Sequence, residues 1–156
     1  MKRFQVLFLF VSSLISQISF DGEPRYFKDE LISRSLYVTE NVDYESYDLQ
    51  MKNDPSVRYL VFGYEHSVEI DFFKDASSFA DEEGTTYLLD IVSESAFSMS
   101  FKYKDFFLPP MSEMYIYSNE HNDFIGKYTD FNNTEDEYFA TQLLKGDRHT
   151  LEVFIP

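Results

Sequence analysis

Apolar and polar residues alternate most cleanly from Phe97 to Lys104, where Phe97, Met99, Phe101 and Tyr103 interleave with Ser98, Ser100, Lys102 and Lys104. A period of two marks a strand with one face on a core and the other in water. The closing run Thr150–Ile155 alternates too, with Leu151, Val153 and Ile155 on one face. Short β-branched and aromatic runs predict further strands at Tyr59–Phe62, Val68–Phe73, Thr85–Val92, Met114–Tyr117, Phe124–Tyr128 and Glu137–Thr141. Turn-formers punctuate them at Asp81–Gly84, Pro109-Pro110, Asn119–Asp123, Asp130–Asp136 and Gly146-Asp147. Strands recurring at about 8–12 residues predict an all-β domain over residues 58–156, an antiparallel β-sandwich of jelly-roll-like type. Residues 17–57 are polar and weakly patterned and read as an extended arm, with a short strand within Ser33–Thr39 and a helical turn within Tyr44–Met51.

The extreme N-terminus follows another pattern. Lys2 and Arg3 precede an apolar run that begins at Val6–Val11 and reaches Ile15, with small serines behind it. That is the layout of a secretory signal peptide, too short to span a bilayer. Residues 1–16 are therefore expected to be removed by a cut between Ser16 and Gln17. The processed chain would be secreted or periplasmic, with no stable membrane anchoring. Losing Lys2 and Arg3 leaves 11 of the 13 bases against 28 acids, a formal charge of −17. Such a chain repels nucleic acid and anionic lipid. With 17 Phe and 12 Tyr it still has ample ring surface to bury, so an ordered core is expected. It has no cysteine, so stability must come from that core or from bound ions, a weak pointer to a bacterial source.

Candidate chemistry is sparse. His66, His121 and His149 are the only histidines, and none sits in a nucleophile signature or in H-E-x-x-H. The chain is expected not to be an enzyme. The carboxylate runs Asp81–Glu83 and Glu135–Glu137 are contiguous and loop-like, unlike a pair held across a cleft, and read as solvated turns. Calcium is the one cofactor the loops suggest. Asn119–Asp123 is rich in oxygen ligands, and so is Asp130–Asp136, where Asp130, Asn132 and Asp136 would be ligands, although neither loop has EF-hand spacing. Asn132-Asn133-Thr134 forms a glycosylation sequon, which in a bacterial protein carries little meaning. The stripe Phe101, Tyr103, Phe106 and Phe107 reads first as core and second as a glycan-stacking platform.

The order of short motifs carries more than any one of them. Phe62-Gly63, Tyr87–Ile91, Ser95–Phe101, Phe106–Pro109, Met114–Tyr117, Phe124–Thr129, Asn132-Asn133, Phe139–Thr141, Gly146-Asp147 and Leu151–Val153 follow one another between Tyr59 and Pro156. This succession resembles the non-catalytic N-terminal region that precedes the protease domain in secreted bacterial trypsin-like serine peptidases of the lysyl endopeptidase type. The resemblance implies a pro-region or accessory β-domain whose partner is a peptidase catalytic domain, in cis or in trans. In that family the catalytic residues lie in the following domain, so none is carried over to a position here. The alternative is a free-standing exported binding module for calcium or glycan.

Overall fold

The computed structural model describes residues 19–54 and 63–156; the signal peptide, the Ser16/Gln17 cut and the strand expected at Tyr59–Phe62 lie outside them. Its frame is a six-stranded sheet with the order β1-β3-β10-β6-β7, in which β2 also pairs with β3. These strands are β1 (Ser35–Val38), β2 (Ser77–Ala80), β3 (Thr85–Val92), β6 (Glu113–Ser118), β7 (Asp123–Tyr128) and β10 (Arg148–Ile155). Strand β10 lies at the centre, antiparallel to β3 over Arg148–Ile155 and to β6 over Thr150–Phe154. The fold is mostly β, as expected, but the sheet is mixed: β1 runs parallel to β3, Ser35 facing Leu89 and Val38 facing Val92. Strands β1 and β2 share one edge of β3 end to end, and Ser35 Oγ lies 3.0 Å from Ser77 Oγ at their junction.

The core face carries Leu89 and Ile91 from β3, Met114 and Ile116 from β6, Ile125 from β7, and Leu151 and Val153 from β10. Phe106, Leu108, Phe139 and Leu144 close over them from the connecting segments. Those segments form two ribbons: β4 (Ser98–Met99) with β9 (Leu144–Lys145), and β5 (Lys102–Tyr103) with β8 (Phe139–Ala140). The continuous strand expected at Phe97–Tyr103 is thus split in two. At the break Phe101 N–H donates to Thr141 Oγ1 (3.0 Å), and Thr141 N–H donates to Phe101 O (2.9 Å). A side-chain oxygen standing in for a carbonyl ends the regular ladder. Phe97 consequently points into solvent, 93% exposed, while Phe101 and Tyr103 still pack on the core.

Other expectations shift for similar local reasons. Val68–Phe73 is not a strand; its end joins the short helix α2 (Phe72–Asp75), and its residues border the cleft described below. The helical turn near Tyr44 becomes α1 (Tyr44–Asn53), capped by Asp43, whose carboxylate accepts from the N–H (3.1 Å) and hydroxyl (2.6 Å) of Ser46. The segment read as an extended arm supplies β1, and its residues 20–28 lie across the far face of the sheet. Gly126 uses a backbone freedom that other residues lack. It sits at φ +119° opposite an irregularity at Met114/Tyr115, and a Cβ there would lie 2.7 Å from Met114 O.

Candidate binding surfaces

Two surfaces stand out, one on each face of the sheet. On the core side a cleft of about 1770 Å³ opens between β1, β3 and the segments 63–75 and 95–105. Tyr37, Ile70, Phe72, Ile91, Phe101 and Tyr103 give it an apolar floor, and Lys102 Nζ meets Glu65 Oε2 (3.1 Å) at its rim. His66 stands at the wall with its ring edge-on to Tyr64 (4.8 Å), which in turn meets Tyr47 (5.1 Å). Thr39 Oγ1, His66 Nε2 and Tyr103 Oη are buried there without a hydrogen-bond partner among the described residues. Burial pushes the Tyr103 phenol well above its usual range, so it stays a neutral donor at every physiological pH.

On the opposite face, both sides of the central strands are buried, because the arm covers what alternation suggested would be wet. Glu152, on β10 between Leu151 and Val153, is 1% exposed. Its Oε1 accepts Arg25 N–H (2.6 Å), and its Oε2 accepts Tyr26 N–H (3.1 Å) and the Tyr117 hydroxyl (3.2 Å). Burial raises the Glu152 carboxyl above its ordinary value, and the donors from Arg25, Tyr26 and Tyr117 only partly offset this. The Tyr117 phenol is raised as well, first by burial and then by the Glu152 charge. Beside them Asp90, also buried, takes the Thr150 hydroxyl at Oδ1 (2.7 Å) and the Arg148 guanidinium at Oδ2 (3.1 and 2.5 Å). No motif pointed to this network. Its trace in the sequence is an acid inside each of two apolar runs, Asp90 in Tyr87–Val92 and Glu152 in Leu151–Ile155.

The residues singled out as calcium ligands serve their own turns. Asp130–Asn132 is a single 3-10 turn capped by Thr129, with Asn132 fully buried and its Oδ1 accepting Thr129 N–H (2.9 Å). Asp136 accepts the Thr134 hydroxyl (2.6 Å), which lowers its carboxyl below the ordinary value. In the other loop, Asn119 Oδ1 accepts Lys28 N–H (3.1 Å). Among the described residues no group of three His, Cys, Asp or Glu side chains is placed to hold a metal ion. Of the aromatic stripe, Phe106 is buried and stacks on Phe139 (4.4 Å), Phe101 and Tyr103 are partly buried, and Phe107 is 60% exposed.

No family model, curated protein or solved structure matches this chain. The remaining histidines differ sharply in setting: His121 lies against Gly146 and Ser118, whereas His149 is fully buried and touches the carbonyl of Lys145 through Nε2 (3.1 Å). Burial depresses the His149 imidazole below its ordinary value. In the folded state it then binds fewer protons than in the unfolded state, so stability is lost as pH falls below about 6.5 toward the folded value. The melting temperature of the wild type is expected to approach that of His149→Gln as pH drops from 7.5 to 5; a gap independent of pH would show that the ring titrates alike in the folded and unfolded states. Among the described residues no helix is long and apolar enough to cross a membrane.

Proposed function

We propose that this chain is a non-catalytic accessory or pro-region β-domain of a secreted serine peptidase, exported by residues 1–16, which works by binding a catalytic domain. In this reading the six-stranded sheet is one layer of a jelly-roll-like sandwich, and the two ribbons with their loops are the other. The observation that carries the binding role is the cleft. A space of about 1770 Å³, floored by rings and rimmed by the Lys102–Glu65 pair, suits a protruding segment of another protein that brings both apolar and charged groups. The formal charge of −15 on the unprocessed chain favours a partner with a basic face.

The test is titration of the purified protein into a trypsin-like catalytic domain of the lysyl endopeptidase type, following heat and peptidase activity together. A saturable complex, weakened at least about tenfold when Tyr103→Phe and Ile70→Asp are combined at the cleft, is the expected result. Absence of both heat and inhibition at high concentration would defeat the proposal.

A further inference from the structure

The far face of the sheet is built like a peptide-receiving groove, and residues 20–28 of the same chain are the peptide. Recognition runs mostly through the main chain. Phe20 N–H donates to Lys127 O (3.0 Å), Lys127 N–H returns to Phe20 O (3.3 Å), and Lys28 N–H donates to Asn119 Oδ1 (3.1 Å). The two oxygens of Glu152 take the consecutive N–H groups of Arg25 and Tyr26. Side chains then fix the register. The Arg25 guanidinium lies 3.6 Å over the Phe154 ring and bonds Glu83 (2.8 Å), while the Phe27 ring sits edge-on to Tyr117 (5.5 Å) and Phe124 (5.4 Å).

The joint between this peptide and the body is less comfortable. Lys28 sits at φ +65°, a left-handed conformation that a residue with a side chain adopts at a cost. Arg34 Nη2 bonds the carbonyls of Tyr26 and Asp29 to hold the bend, yet Arg34 Nε is buried with no hydrogen-bond partner among the described residues. Leu31, at the apex, is 98% exposed. A well-made groove attached through a short, strained hinge is the arrangement from which an element exchanges between identical chains, because every groove contact is the same in either chain and only the hinge differs.

We propose that residues 19–29 of one copy seat in the groove of a second copy, giving a reciprocal arm-exchanged dimer in which the hinge straightens. Each Glu152 then holds the Arg25 and Tyr26 N–H groups of its partner. The exchange releases the Lys28 backbone strain and opens the bend that traps Arg34 Nε. This inference is independent of the peptidase reading and of the cleft.

The chain has no cysteine, so the seat can be trapped by disulfides. Phe20 and Lys127 form a doubly hydrogen-bonded antiparallel pair, a setting with Cα atoms about 5.5 Å apart, within the range a disulfide spans. In the full chain, Phe20→Cys with Lys127→Cys in one molecule is expected to close within the monomer at low concentration. Mixed single variants, Phe20→Cys with Lys127→Cys, are expected to give a disulfide-linked heterodimer that increases with concentration on a non-reducing gel. Adding Phe27→Ala to the arm-donating chain should leave the heterodimer's share nearly unchanged, because the closed monomer loses the same ring contacts as the exchanged dimer. Adding Lys28→Gly, which relieves the hinge in the closed monomer, should cut it about two- to five-fold. No heterodimer, or one indifferent to Lys28→Gly, overturns the exchange; a double variant that never closes overturns the seat itself.

Discussion

Replacing Glu152 by alanine is expected to cost about 3 kcal/mol of unfolding free energy at pH 7, measured by urea denaturation. The change leaves the half-buried N–H groups of Arg25 and Tyr26 facing a cavity and takes one acceptor from the Tyr117 hydroxyl; each stranded donor costs about 1–3 kcal/mol. The loss should depend on pH in a direction opposite to most carboxylates. Because burial raises the folded carboxyl, the native state holds this proton where the unfolded state has released it. Stability from this group therefore falls as pH rises from about 4.5 through the folded value, and the gap between wild type and Glu152→Ala narrows from acid toward neutral. A gap that widens over the same interval would mean that the donors outweigh the burial.

The second large effect is expected at Phe139→Ala, about 4 kcal/mol by the same measurement, within the usual range for emptying a buried aromatic site. Phe139 is fully buried and belongs to a ribbon two residues long, too short to be stable alone. Its ring stacks on Phe106 (4.4 Å), meets Tyr128 edge-on (4.9 Å) and lies 5.9 Å from Tyr103. It thus pins both strands of the ribbon to the end of β7. Phe107→Ala, next to one of these rings but 60% exposed, should change stability by less than about 0.5 kcal/mol and serves as the internal control.

Long strands were legible in the sequence because their pattern and their burial agree. Thr85–Val92 is β3 residue for residue, and Met114–Tyr117, Phe124–Tyr128 and Thr150–Ile155 each lie within the observed strand. Short elements were not, since pairing rather than composition makes them strands. Ser77–Ala80 has no β-branched residue and is extended because β3 offers a free edge. Phe97–Tyr103 alternates well and still breaks, because the opposing chain presents Thr141 between β8 and β9 instead of a continuous partner. The far-face network escaped notice for a related reason. Alternation says which residues leave the core, but not that a peptide from more than one hundred positions earlier will cover them, as Arg25 covers Glu152 across 127 residues. The cleft was equally hidden, for Thr39, His66 and Tyr103 share no local pattern.

The position of β10 bears on how the protein comes into being. The strand at the middle of the sheet is the last of the described strands, and its neighbours β3 and β6 have no ladder with each other. Until Ile155 has emerged from the ribosome, β1, β2 and β3 on one side and β6 and β7 on the other are two half-sheets with bare inner edges. Nascent chains should therefore stay sensitive to proteases and adhesive until β10 has emerged and paired. Refolding should be slow for a domain of this size, since the closing step joins segments separated by about sixty residues and must meet that loop-closure entropy before any core contact repays it.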